Sequence, residues 1–143
     1  DRNLKRDLDT LEAGLTEQFI LGLKPQSYRF LQGESGRRHW GLIGQDVEEL
    51  MEELGIDSMD FGGFIKSPKY EESTDEEGNY QETPLEGEYI YSLRYEEFIA
   101  PLVQFVQNLY HKVQVLVETV QKLRASQDSN IPSSQDLPKG EEI

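Results

Sequence analysis

Apolar residues near the C-terminal end fall at alternating spacings of three and four. Ile99, Leu102, Val106, Leu109, Val113, Leu116, Val120 and Leu123 form an unbroken heptad seam, with Ile or Val at a and Leu at d. Such a seam predicts a helix over Tyr95–Arg124 that must bury one stripe against other helices. At ~1.5 Å per residue the rod is about 45 Å long, more than a small domain can cover, so its partners are expected to be copies of itself. Val or Ile at a with Leu at d favours two strands. The flanks widen the apolar face: Val103, Tyr110 and Val117 occupy e, and Phe98 and Phe105 occupy g. That width selects a parallel trimer, the alternative being a long helix packed on its own domain. Pro101 either kinks this helix or marks its true start.

Upstream, the periodicity changes several times. Leu4, Leu8, Leu11 and Leu15 recur at helical spacing and lead into Phe19, Ile20 and Leu23. They predict a helix over residues 10–22, capped by Asp9 or Thr10 and stopped by Lys24-Pro25. Tyr28 and Phe30 alternate with polar residues, so 26–31 reads as a half-buried strand. It pairs with a second strand, 37–44, across the Gly33–Gly36 turn. Val47, Leu50, Met51 and Leu54 share one face of a short acidic helix over 45–54 that Gly55 ends. Phe61–Ile65 and Glu88–Ser92 are short strand candidates, and the insert between them reads as an exposed loop or a hairpin. The expected class is α+β: a small antiparallel sheet with short helices in a head over 1–94, with an acidic insert at 66–88. A coiled-coil helix over 95–124 comes next, then a polar tail, 125–143, too poor in apolar residues to fold.

Charge sharpens this picture. The formal net charge is −14, and residues 46–88 hold fifteen acidic residues against Lys66 and Lys69. Nucleic acid is not expected as a ligand, because binding it requires a basic footprint. A charge run of this kind is most often a solvated surface. No run of ~18 apolar residues is present, so no membrane-spanning helix is expected. The absence of Cys excludes disulfides and thiolate metal sites. No phosphate-binding Gly-rich loop and no Gly-x-Ser-x-Gly elbow occurs. His39 and His111 stand far apart with no ligand spacing around them, so no metal is expected.

Four segments carry more information together than apart: Asp1-x-x-Leu4-Lys5, Leu23-Lys24-Pro25-x-x-Tyr28, His39-Trp-Gly41-Leu-Ile-Gly-Gln45-Asp-Val-Glu48, and Tyr95-Glu-Glu-Phe-Ile-Ala-Pro101-Leu. In this order they resemble the C-terminal intramolecular chaperone domain of phage tailspikes, endosialidases and neck-appendage proteins, a relative of which occurs in myelin regulatory factor. The resemblance covers residues 1–124, without the acidic insert. It implies a homotrimer that templates the folding of an N-terminally attached fibre or appendage client, then cuts itself free with a Ser-Lys dyad. The family motif reads Ser-Asp-x-x-Leu-Lys, with the cut just after the Ser. Asp1 would then mark the cleavage site, Lys5 the dyad lysine, and the chain the released product, inactive without its Ser. Arg2 and Arg6 would help to lower the pKa of Lys5.

By the same resemblance His39 and Gln45 align with polar positions that matter for cleavage, where they could orient the scissile carbonyl or stabilise the oxyanion. Their alternatives are a hairpin-edge aromatic for His39 and a helix cap for Gln45. Two departures from the family pattern stand out: Gly44 replaces Ala, and Arg94 replaces an Asp. Some relatives couple cleavage to ATP, but no nucleotide site is recognisable here, and no cofactor is expected. The resemblance places the chain in the host cytoplasm during phage assembly and not in the mature virion. Two other functions compete: a non-cleaving trimerisation or attachment module of a fibre, and an acidic monomeric mimic of nucleic acid.

Overall fold

The computed structural model describes residues 1–32, 36–74 and 78–128. It has small antiparallel sheets, short helices and a long C-terminal helix, as the periodicities require. The chain divides into two compact units, the first ending at Phe105 and the second starting at Val106.

The first unit begins with a single 3₁₀ turn, Arg2–Leu4. Helix α1 runs Ala13–Gly22 and starts later than the leucine spacing suggests. The reason is its cap. The Glu12 carboxylate accepts the N–H of Gly14 at 2.9 Å and that of Leu15, which fixes the first turn at Ala13 in place of the expected Asp9 or Thr10. The same two N–H groups, Leu15 first, hold the Glu12 carboxyl below its ordinary value. Leu4, Leu8 and Leu11 are therefore not helical neighbours of Leu15 and remain exposed.

Strands β1 (Gln26–Tyr28) and β2 (His39–Gly41) pair antiparallel, Tyr28 opposite His39 and Gln26 opposite Gly41. Both are shorter than expected. Past Tyr28 the order comes from rings: His39 stacks on Tyr28 at 5.9 Å and receives Phe30 edge-on at 4.9 Å. Helix α2, Gly44–Leu54, ends as anticipated. Gly55 takes the left-handed conformation at φ 68°, and the N–H of Ile56 reaches back to Met51 O at 2.8 Å.

The insert is a hairpin. Strands β3 (Phe64–Thr74) and β4 (Tyr80–Leu93) pair antiparallel from Phe64–Leu93 out to Thr74–Tyr80. The register breaks between Pro68 and Tyr70, where Pro68 faces Tyr89 and Tyr70 faces Pro84. Neither proline can donate to the ladder, which is why regular pairing lapses there.

The core lies between α1, α2 and the base of this hairpin. Phe19, Val47, Leu50, Met51, Phe64 and Phe98 are buried. Phe19 meets Phe61 edge-on at 5.1 Å and stacks on Phe98 at 6.0 Å. Gly22 permits the α1–α2 approach, since a Cβ there would stand 2.4 Å from a Leu50 methyl.

Phe98 does not flank the seam as expected. It ends a second 3₁₀ turn, Tyr95–Phe98, and is buried, while helix α3 runs Ile99–Asp128. Pro101 falls in the first turn of α3, where no N–H is needed, so it marks the start of the helix and does not kink it. In the second unit α3 continues four residues past Arg124, so Ala125–Asp128 are helical; the remainder of the expected tail, 129–143, lies outside the described residues. No helix among the described residues is long and apolar enough to cross a membrane.

Truncating Phe19 to Ala removes a ring from this aromatic cluster and should cost about 3–5 kcal/mol in chemical denaturation. Leu31→Ala, at a fully exposed position, should shift stability by no more than ~0.5 kcal/mol.

Candidate functional site

The candidate residues occupy two places in the first unit. At the start, Asp1 Oδ1 accepts the N–H of Asn3 at 2.8 Å, while the N–H groups of Leu4 and Lys5 reach the carbonyls of Asp1 and Arg2, each at 3.2 Å. Residues 1–5 thus close one tight turn with Asp1 and Lys5 at its ends. Lys5 leaves the turn in an extended conformation and is exposed. Arg6 pairs with Asp7 at 3.6 Å.

The second place is the crossing from β2 into α2. His39 is half-buried in the ring cluster with Tyr28 and Phe30, whereas its neighbour Trp40 is 87 % exposed. Gln45 lies exposed in the first turn of α2. It is not the cap: that position is Ile43, which has no capping side chain. The adjacent Asp46 accepts a hydrogen bond from Gln26 Nε2 at 2.6 Å and ties α2 to β1. No hydrogen bond or ion pair among the described residues joins Lys5 to His39 or Gln45 within one chain.

Two glycines shape this crossing. A Cβ on Gly41 would lie 2.5 Å from Tyr95 Oη and 3.3 Å from Tyr28 Oη. One on Gly44 would lie 2.7 Å from Tyr91 Cβ. Gly44 is therefore matched to the tyrosine packed on it. Between the glycines, the N–H of Leu42 donates to Tyr95 Oη at 2.9 Å. Arg94 precedes the Tyr95–Phe98 turn and gives it no side-chain cap; its backbone N–H instead reaches Gly63 O at 2.9 Å.

A charged contact fixes α2 to the hairpin. Glu48 accepts from Lys66 Nζ at 2.6 Å and from the Tyr91 hydroxyl at 3.1 Å. Lys66 also lies over the Tyr89 ring, 4.5 Å from its centre. The Lys66 hydrogen bond, with a smaller share from Tyr91, holds the Glu48 carboxyl below its ordinary value, and Glu48 in turn raises Lys66. Sequence reasoning missed this cluster. Tyr95 was visible as a motif residue, but a bond spanning 53 positions leaves no local trace.

A cavity of about 190 Å³ opens beside α1, lined by Leu11, Leu15, Phe19, Ile56, Phe61 and Pro101 with Thr16, Gly55 and Asp60. Its one charged lining residue is an acid, so it does not fit a nucleotide's phosphates. Among the described residues no three acidic or His side chains cluster to hold a metal.

Residues 1–56 match the family model Peptidase S74, chaperone of endosialidase. The resemblance is borne out over this span, which holds three of the four motif segments; the fourth, 95–102, lies beyond it. The matched span holds Asp1, Lys5, His39 and Gln45, and it ends just past α2. The fold is similar to a crystal structure of a novel intramolecular chaperon, with 24 % identity over 78 % of this chain and 98 % of that one and a TM-score of 0.58. It is also similar to the carboxy-terminal domain of the bacteriophage T5 L-shaped tail fibre with its intra-molecular chaperone domain, with 19 % identity, 82 % of this chain covered and a TM-score of 0.53. This chain spans 31 % of that tail-fibre chain. Both are likenesses of fold. No curated protein matches the sequence.

The Glu48–Lys66 contact makes a pH prediction. Glu48 is lowered in the fold, so its contribution is full above its unfolded value and is lost as pH falls through the lowered one. Lys66 is raised, so its contribution is full below its unfolded value and is lost as pH rises through the raised one. Melting temperature should hold level between these limits and fall on acidification below the usual carboxylate range of about 4. Glu48→Gln should lower the plateau and shrink the acid-side fall. An unchanged acid limb would remove Glu48 from the account.

Proposed function

We propose that this chain is the intramolecular chaperone of a phage fibre, tailspike or appendage protein. On this reading it trimerises, templates the folding of an N-terminally attached client, and is severed from it by a serine-type autoproteolytic cut before Asp1. The carrying observation is an unsatisfied apolar stripe on a chain whose first 56 residues match the chaperone family. The eight seam residues, Ile99 to Leu123, are between 45 and 63 % exposed in the single chain, and Val103, Tyr110 and Val117 beside them are exposed as well. Three copies would bury what one leaves in water.

The chemistry follows from the motif. The amine of Lys5 takes the proton of a Ser hydroxyl, and the oxygen adds to the carbonyl before Asp1. The Asp1 nitrogen leaves with a proton as a free amine. Water then opens the resulting ester, releasing the client's carboxylate and restoring the Ser. Attack by a Ser on its own carbonyl would close a strained four-membered lactone, so the hydroxyl is taken from a neighbouring protomer. His39 or Gln45, also reached across the trimer, would steady the oxyanion. Cleavage would thereby wait for assembly, in the host cytoplasm, and leave the mature virion without this domain.

In a precursor extended upstream through the expected Ser and client, Lys5→Ala should remain full length on a gel while native mass still shows three chains. Lys5→Arg should fail as well, because a guanidinium cannot act as a base. Normal processing of Lys5→Ala would return Lys5 to the solvated surface. An uncut trimer from the unmodified precursor would favour a non-cleaving attachment module. Leu109→Asp with Leu116→Asp would bury charges in the seam and should give monomers by sedimentation. A monomeric unmodified chain would end the trimer reading.

A further inference from the structure

The crossing from β2 into α2 carries both His39 and Gln45, yet little within it fixes its own shape. Its helix begins at Gly44 with Ile43 in the cap position and no side-chain cap, and β2 is only three residues long. Its support comes from far along the chain. Tyr95 Oη accepts the Leu42 N–H midway between the two candidate residues, and the hydroxyl occupies the space where a Gly41 Cβ would stand. Tyr91 fills the corresponding space at Gly44. Tyr95 opens the 3₁₀ turn that leads into α3 within the same unit, and its neighbour Phe98 is locked in the core.

We propose that Tyr95 is a positioning residue for self-cleavage: its hydroxyl sets the backbone between His39 and Gln45 and makes their placement answer to the root of the seam helix. This rests on the cleavage function proposed above. Tyr95 is half exposed, so removing its hydroxyl subtracts one hydrogen bond without emptying any core space. A role in positioning therefore separates from a role in stability. The Gly41 contact adds a geometric signature: an alanine there collides with the tyrosine hydroxyl and should be relieved when that hydroxyl is removed.

The test has two parts. In the chain itself, Tyr95→Phe should speed amide exchange at Leu42 about fivefold, the ordinary worth of one hydrogen bond, with the melting temperature little changed. In the client-bearing precursor, Tyr95→Phe should slow cleavage by a similar factor while native mass still shows three chains. Gly41→Ala should slow it further, and the Gly41→Ala/Tyr95→Phe double variant should recover to the rate of Tyr95→Phe alone. Unchanged Leu42 exchange overturns the proposal, as does a Tyr95→Phe precursor cut at the unmodified rate while Lys5→Ala is not cut. A cleavage loss that merely tracks the melting temperature, with no recovery in the double variant, also overturns it. Should Gly41→Ala not assemble, the Leu42 exchange and the single-variant rate decide. An unmodified precursor that is not cut would remove the cleavage function itself, whereas Leu42 exchange would still report whether Tyr95 holds this segment.

Discussion

The burial of Phe98 ties the elements of the first unit together. Its ring stacks on Phe19 and meets Phe61 edge-on at 5.0 Å, so the turn just before the long helix is pinned into the core. A buried aromatic of this kind combines a large apolar area with a preferred ring geometry. Phe98 is committed inward, whereas Ile99, the next residue, is 58 % exposed.

Tyrosines extend the same control. Tyr91 and Tyr95 leave β4 and the turn after it to fill the gaps that Gly44 and Gly41 leave. Glu48, held by Lys66 and Tyr91, closes the third side. The segment bearing His39 and Gln45 is thus clasped by Tyr91 and Tyr95, more than forty positions away in the chain, and through Glu48 by Lys66. A short, uncapped crossing of this kind needs such outside support to keep one conformation.

The elements that could be read from the sequence are those whose signal is local. The long C-terminal helix, the Gly55 stop and the apolar face of α2 each have a signal within a few residues, and each appears where periodicity put it. The start of α1 did not. Leucine spacing continued through Leu4 and Leu8, but the Glu12 carboxylate captured two N–H groups and overrode it. The strands around Tyr28 and His39 came out shorter because rings, not ladder bonds, order the chain beyond Tyr28. For the site, the motifs named Asp1, Lys5, His39 and Gln45 but not the contacts that hold them. Among the described residues no hydrogen bond or ion pair joins Lys5 to the β2–α2 crossing, so no contact links the two motifs.

The register break in the long hairpin also bears on aggregation. Two strands of 11 and 14 residues with exposed edges are a standing invitation to add a third strand from any extended chain nearby. The register break between Pro68 and Tyr70 interrupts those edges, and the acidic side chains around it repel a like-charged copy. The hairpin can therefore stay long and exposed without becoming a seed for strand-by-strand polymerisation. That protection matters most beside newly made β-rich chains whose own edges are still open.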